Sequence, residues 1–301
     1  MNEQLNDTLD FGVEISPEKN KVVGGTLYLV ATPVGNLADI SARAVKVLSD
    51  VDFIAAEDTR NSMRLLSALG IKNELVSYHE HNKKSSGERL VARLLSGESC
   101  ALITDAGMPA ISAPGEDIVK LCADAGIVVS VIPGACAAVS ALSVSGLGTR
   151  RFAFEGFLSA NKGERKKQLS KLKNEDRTII FYEAPHKLKS TLADMCDTFG
   201  EERKISLCRE LTKLNEEIHR TTLGGAVAYY EANEPRGEYV LVVDGFDGEV
   251  LDEEVSSLLS LSPEEHVAAY ESQGLGRMDA IKKAAKDRGL SKSELYKQLN
   301  T

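Results

Sequence analysis

The chain has 301 residues, 43% hydrophobic and 27% charged, with a net charge of −9. That length allows about 75% of the unfolded surface to be buried, enough for two compact domains and an appendage. No apolar run approaches the ~18 residues of a membrane span and no secretory leader opens the sequence. The five cysteines (Cys100, Cys122, Cys136, Cys196 and Cys208) form no CxxC pair, which suits reduced thiols in a cytoplasm and argues against a disulfide framework.

The charge is uneven. Residues 1–24 carry −3, residues 246–273 carry −8 and residues 274–301 carry +4, which leaves −2 for residues 25–245. Acidity held in a tail and one short segment leaves room for local basic surface elsewhere.

In chain order, residues 1–24 read as a polar tail. From Thr26, short apolar runs alternate with amphipathic ones, the pattern of strand–helix units around a sheet. Strands are predicted at TLYLVA (26–31), VDFIAA (51–56), ELVSY (74–78), CALIT (100–104) and IVVSVI (127–132). SARAVKVLSD, TRNSMRLLSALG, SGERLVARLLSG and GEDIVKLCADAG have helical spacing between them. This first α/β domain spans 25–149. A second spans 150–245, with strands RFAFEGF, RTIIFYEA, KISLCREL and EYVLVV and helices GERKKQLSKLK, PHKLKSTLADMCDTFG and GGAVAYYEAN. Residues 246–257 read as an acidic linker. Residues 258–301 read as a small helical domain, broken at Gly274, Gly276 and Gly289, whose last helix starts near Ser291 in a helix-turn-helix-like arrangement. Its positive charge favours a nucleic-acid contact; protein binding and plain packing are the alternatives.

Three predicted strands run into loops of one composition: ATPVGNLADIS, TDAGMPAISAPG and IPGACAAVSAL. Loops at one edge of an α/β sheet are where ligands usually bind, with glycine allowing close backbone approach and proline keeping the loop stiff. None is a GxGxxG fingerprint or a GxxxxGK[ST] loop, so neither a dinucleotide nor ATP is favoured. Any one of them could be an ordinary turn.

Together with EDTRNSMRLL, FEGFL, FYEAPHKL, RELTK and PRGEYVLVV, these loops give the chain a close resemblance, over about residues 25–245, to the bacterial ribosomal RNA small subunit methyltransferase I family. That family is the RNA-modifying branch of the tetrapyrrole methylase fold. Three positions depart from its pattern: Ala113 where Asp is usual, Lys187 for Arg, and Ser159 for Pro. The resemblance implies a two-domain α/β tetrapyrrole methylase fold with a cleft for S-adenosyl-L-methionine. It also implies 2′-O-methylation of a cytidine ribose in the decoding region of 16S rRNA, in free RNA or in the small ribosomal subunit, by a cytoplasmic homodimer. Cofactor contacts carried over from the fold's motifs are Thr104, Asp105, Ala106, Gly107, Ile111 and Ser112, then Cys136 and Ala137, Tyr182 and Glu183, and Arg236 and Gly237.

Alignment of acceptor and methyl group supplies most of the catalysis in such a transfer, and a nearby base would activate the hydroxyl. The candidates at predicted strand ends are Glu57, Asp58 and Arg60 in EDTR, Glu183 and His186 in FYEAPH, and Arg209, Glu210 and Lys213 in RELTK; of these, Glu57, Asp58, Arg60, Glu183 and Arg209 form the expected catalytic set, with roles unassigned. Structural readings compete, since Asp58 could cap a helix and Pro185 could open one. His79-Glu80-His81 lacks the spacing and partners of a metal site, and no metal is expected. Lys162, Arg165, Lys166, Lys167, Lys171 and Lys173 form a basic helix that reads either as solvated surface or as an RNA-facing surface. A tetrapyrrole C-methyltransferase on the same fold is the second enzymatic reading, and a ligand-sensing transcription regulator the non-enzymatic one. The TPVGNL, EDTR and RELTK stretches favour RNA over a tetrapyrrole.

Overall fold

A computed structural model describes residues 21–248, 258–259 and 261–299. Residues 1–20 of the expected tail and 249–257 of the expected linker lie outside the described residues. The chain divides into two units, Met1–Phe246 and Asp247–Thr301. Among the described residues no helix is long and apolar enough to cross a membrane.

The first half of the larger unit contains β1 (Thr26–Val30), α1 (Ala42–Asp50), β2 (Phe53–Ala56), α2 (Thr59–Ala68), β3 (Leu75–Ser77), α3 (Lys83–Leu95), β4 (Cys100–Ile103), α4 (Glu116–Asp124) and β5 (Val128–Ile132). Its strands form a parallel sheet in the order β3-β2-β4-β1-β5. β2 and β4 are buried along their whole length, as strands covered on both faces must be. On one face Ala44, Val47 and Leu48 of α1 and Leu66 of α2 pack against Tyr28, Val30, Ile54 and Ile103; on the other, Leu90, Leu94, Ile118 and Cys122 of α3 and α4 pack against Leu27, Phe53 and Leu102. Helix α1 starts where the Ser41 hydroxyl accepts a hydrogen bond from the Ala44 amide at 3.1 Å. From β1 the chain crosses β4 to reach β2, whereas from β4 it crosses β1 to reach β5. The strand order therefore reverses between β1 and β4, and a crevice opens at their carboxyl ends.

The second half contains β6 (Phe152–Phe157), α6 (Lys162–Lys171), β7 (Thr178–Glu183), α7 (Pro185–Phe199), β8 (Lys204–Arg209), β9 (Glu217–Thr222), α8 (Leu223–Ala232) and β10 (Tyr239–Val243). These strands form a mixed sheet in the order β6-β7-β10-β8-β9, parallel only between β6 and β7. β9 is absent from the sequence reading because EIHRTT has no apolar run; its pairing with β8 along six residues makes it a strand.

Sequence spacing also leaves IPGACAAVSAL as a loop, but only its first residues turn. Ala137–Ser145 is helix α5. It carries the chain out of the parallel sheet and lays Ala138, Ala141 and Leu142 on Ile180, Cys208, Val240 and Val242 of the second sheet. Burying Leu142 alone contributes roughly 1.5–3 kcal/mol, so α5 fastens one half to the other.

The basic run of α6 is partly internal. Arg165 is 5% exposed, and its Nε donates to Asp194 Oδ2 on α7 at 2.8 Å. Lys166 reaches Asp194 and Asp197 at 3.6 and 3.3 Å. Two of the run's cations therefore tie α6 to α7, Arg165 from inside and Lys166 from an exposed position, and the other four are exposed.

The smaller unit has helices Pro263–Ser272, Arg277–Asp287 and Lys292–Gln298, the first and last opened by capping boxes at Ser262/Glu265 and Ser291/Glu294. Val267, Tyr270, Ala280, Ile281, Ala284 and Leu295 form its core. Within that core His266 accepts a hydrogen bond from Arg288 Nε at 3.1 Å. Burial, followed by the Arg288 charge, holds its pKa below the ordinary histidine value.

Candidate active site

The crevice at the carboxyl ends of β1 and β4 opens into a cavity of about 440 Å³ between the two halves of the larger unit. One wall begins at Thr32, whose N–H donates to the Gly107 carbonyl at 3.0 Å while the Gly107 N–H donates back to the Thr32 carbonyl at 3.1 Å. The Thr32 hydroxyl also donates to the Thr104 carbonyl at 3.0 Å. The loops after β1 and β4 are thereby locked together, and residues 104–108 and 111–114 line the cavity beside them, joined by Cys136 and Ala137 at the start of α5.

The opposite wall comes from the ends of β7, β8 and β10. Tyr182 places its ring edge-on to Phe154 and Phe157, at centroid distances of 5.0 and 5.5 Å. Its hydroxyl accepts from the Ala138 N–H at 3.2 Å, and burial pushes its pKa up to about 12, so it stays protonated at neutral pH. Lys213 donates to Glu210 Oε1 at 2.8 Å and to Glu238 Oε2 at 2.9 Å. Burial opposes its charge, but the two carboxylates outweigh it and hold the ammonium above the ordinary lysine range.

Two glycines make this wall possible. A Cβ on Gly35 would sit 2.5 Å from Lys213 Cγ, and one on Gly237 would sit 2.4 Å from Glu210 Cγ; both residues have positive φ. The glycine of TPVGNL is thus explained by the lysine of RELTK, and the two loops are tied by Thr212 Oγ1 donating to the Val34 carbonyl at 2.7 Å. All four positive-φ residues other than glycine among the described residues lie in the cavity's loops: Ala110 and Ser112 on one wall, Glu210 and Thr212 on the other. Strained backbone of this kind persists where the surroundings hold it, and it gathers at functional sites.

Of the twelve expected cofactor contacts, Thr104, Asp105, Ala106, Gly107, Ile111 and Ser112 line the cavity, as do Cys136, Ala137, Tyr182 and Glu183. Arg236 and Gly237 do not; their successors Glu238, Tyr239 and Val240 do. The offset arises because the Arg236 carbonyl turns back to accept from Arg209 Nε at 2.7 Å, while Gly237 only makes room for Glu210.

The expected catalytic set divides. Glu57 and Glu183 line the cavity, but Asp58, Arg60 and Arg209 do not. Asp58 caps α2 and pairs with Arg60, its Oδ2 accepting from Nη2 at 3.0 Å. Arg209 pairs with Glu217 at 3.0 Å. Glu183 is 3% exposed, and both of its oxygens are engaged, Oε1 by the Ala184 N–H at 2.8 Å and Oε2 by the Thr191 hydroxyl at 2.6 Å. It secures the start of α7. At Glu57, burial, reinforced by the neighbouring charge of Asp105, outweighs a backbone hydrogen bond from Asp105 and raises the pKa above the ordinary carboxylate value.

The expected catalytic and cofactor sets omit Glu210, Lys213, Phe157 and Glu238. RELTK and FEGFL carried the signal for the first three; nothing in the spacing of PRGEYVLVV separates Glu238 from Arg236. His79 and His81 have ring centroids 5.9 Å apart, and among the described residues no group of three metal-ligating side chains gathers.

Residues 26–227 match the model of the tetrapyrrole (corrin/porphyrin) methylases. The chain is 48% identical over 272 residues to ribosomal RNA small subunit methyltransferase I of Bacillus subtilis, covering 90% of this chain and 93% of that one. It is 43% identical to the Escherichia coli O157:H7 protein of the same name, covering 91% and 94%. Among solved structures, diphthine synthase (TM-score 0.56, 14% identity, 73% of this chain and 90% of that one) shares the fold. So does a cobalt precorrin-4 methyltransferase (TM-score 0.55, 16% identity, 73% and 95%).

The family uses S-adenosyl-L-methionine. The cavity fits it: its volume lies within the roughly 300–1,000 Å³ of small-molecule sites, small side chains and backbone form one wall, and carboxylates face the space a sulfonium cation would share. By its motifs, its fold and its likeness over nine-tenths of its length, the chain belongs to the ribosomal RNA small subunit methyltransferase I family of the tetrapyrrole methylases.

Proposed function

We propose that the protein methylates the ribose 2′-oxygen of a cytidine in the decoding region of 16S rRNA, acting as a homodimer in the cytoplasm. The shared name of its relatives supports an rRNA substrate. Within the site, the observation that carries the reading is Glu57, a cavity-lining carboxyl with a raised pKa at the mouth of a backbone cradle.

S-adenosyl-L-methionine, when bound, supplies an electrophilic methyl group on a sulfonium. A ribose hydroxyl is a weak nucleophile at neutral pH, and Glu57 takes its proton as the oxygen–carbon bond forms. A raised pKa makes the ionised Glu57 carboxylate a better base than an ordinary one. The locked loops of Thr32 and Gly107 hold the cofactor side, and the Lys213 ammonium, fixed between Glu210 and Glu238, donates to oxygens on the acceptor side. Such positioning can supply about 7–11 kcal/mol of the rate advantage without a covalent intermediate.

The charge of the cavity disfavours the tetrapyrrole reading. Glu57, Asp105, Glu210 and Glu238 face it against the single ammonium of Lys213, and they would repel the carboxylate arms of a uroporphyrinogen-type macrocycle. A neutral ribose meets no such penalty. Labelled S-adenosylmethionine offered with small ribosomal subunits from a strain lacking this protein, and separately with a uroporphyrinogen-type tetrapyrrole, tests the choice. Label on RNA alone is expected; label on the macrocycle alone would reverse it.

A further inference from the structure

An acidic cavity that must act on RNA raises a question of charge. The ribose can enter, but the phosphates on either side of it cannot follow without meeting Glu57, Asp105, Glu210 and Glu238. They need a cationic rest outside. The outer face of α2 supplies one. Thr59, Arg60, Met63, Arg64 and Ser67 line a shallow surface depression of about 500 Å³. They recur at i, i+1, i+4, i+5 and i+8, which is one face of a helix. Residues 59–73 contain no aspartate or glutamate and three cations, in a chain whose net charge is −9.

The first turn of the helix that carries this face adjoins the cavity. Asn61 in the first turn of α2 donates from Nδ2 to Asp105 Oδ2 at 3.0 Å, and Asp105 lines the cavity. Asp58, next to the cavity-lining Glu57, holds Arg60 through Nε and Nη2 at 3.3 and 3.0 Å, and the Arg60 side chain is nonetheless 86% exposed. Arg64 stands one turn further and is exposed. Guanidinium forks, with hydroxyls at either end of the stripe, are the groups that meet phosphate oxygens, and exposed Met63 between them offers apolar contact to a sugar.

We propose that this stripe is the docking track for the RNA backbone flanking the target nucleotide, with Arg60 and Arg64 each contacting a phosphate. The inference rests on the rRNA reading above, and it moves Arg60 from the expected catalytic set to RNA positioning. The α6 run is the weaker candidate: Asp194 and Asp197 engage Arg165 and Lys166, and among the described residues no side-chain hydrogen bond ties α6 to a cavity-lining residue as Asn61 ties α2 to Asp105.

The test is the salt dependence of methyl transfer to small ribosomal subunits from a strain lacking this protein, comparing wild type with Arg60→Ala, Arg64→Ala, Arg64→Lys and Lys120→Ala. Lys120 lies on α4, on the opposite face of the parallel sheet, and serves as control. Each arginine-to-alanine change is expected to raise KM for subunits several-fold with kcat retained, and to reduce the slope of log(1/KM) against log salt by about 0.7–0.9. Arg64→Lys should restore the slope, Lys120→Ala should leave it unchanged, and cofactor affinity by calorimetry should be the same in all. Unchanged KM and slope in both alanine variants would overturn the track. A raised KM without a slope change would also overturn it, in favour of a protein contact on the subunit. No transfer to RNA by the wild type would instead overturn the rRNA reading, and the track with it.

Discussion

The wall of the cavity built on the parallel sheet offers mostly backbone and small side chains, among them Thr104, Ala106, Gly107, Ser112 and Ala137. The wall built on the second sheet offers rings and ions: Phe157, Tyr182, Glu210, Lys213 and Tyr239. The first is fixed by main-chain bonds between two neighbouring loops, the second by side chains that hold one another. A loop that binds through its backbone constrains the sequence as one contiguous glycine- and proline-bearing motif. A wall that binds through side chains draws single residues from several strand ends. Glu57 and Asp105 are the exceptions, charged groups on the backbone wall, and the proposed chemistry sits at Glu57.

Replacing Glu57 gives the largest expected effect. Glu57→Gln should lower kcat by about 10²–10⁴-fold with little change in cofactor affinity, as loss of a general base does. In the wild type, kcat/KM should rise with pH as Glu57 ionises, with a midpoint above the ordinary carboxylate range because burial and Asp105 favour its protonated form. The sign for stability is opposite. A carboxyl raised on folding stabilises the native state below its unfolded pKa, and that contribution is lost as pH rises through the folded value. Glu57→Gln should therefore be slightly more stable than wild type at pH 7 while far less active, and thermal melts at pH 4 and pH 7 would check it. A pH profile unchanged by the substitution would remove Glu57 from the role of base.

The second wall depends on support from behind. Arg165→Ala leaves Asp194 buried without its guanidinium, which should cost about 3–5 kcal/mol in denaturant unfolding. That change should loosen the second wall, because α7 carries on directly from the strand that ends in Tyr182 and Glu183.

A smaller change sharpens the contrast between walls. Gly237→Ala adds a Cβ at positive φ, a cost of about 1–2 kcal/mol before the clash with Glu210 is counted. It should displace Glu210 and Lys213, weakening substrate use about tenfold, while the Thr32–Gly107 lock keeps its geometry. An intact Lys213 clamp and unchanged KM would show that the second wall tolerates what its packing forbids.

Much of this was legible in the sequence, for different reasons in the two halves. Apolar runs such as FIAA and CALI fix buried parallel strands, and the DAGMPAISAPG loop announces itself by composition. β9 was not legible, because an edge strand of polar residues is made by its partner. Helix α5 was masked by the proline and glycine that precede it. The basic run of α6 misleads in isolation: Arg165 and Lys166 meet their acids only after α7 folds beside them, and charge counted along a chain says nothing of partners 29 or 31 residues away. Arg236 and Glu238 differ in role for the same reason, since backbone direction at the entry to β10 decides which of them faces the cavity.

Label transferred from S-adenosylmethionine to small ribosomal subunits of a strain lacking this protein, followed by alkaline hydrolysis of the RNA, tests the central claim most directly. A methyl group on a ribose 2′-oxygen blocks cleavage of the adjoining phosphodiester, so the account predicts the label in one alkali-resistant dinucleotide that begins with cytidine. Label released in ordinary mononucleotides would place the methyl group on a base and contradict it.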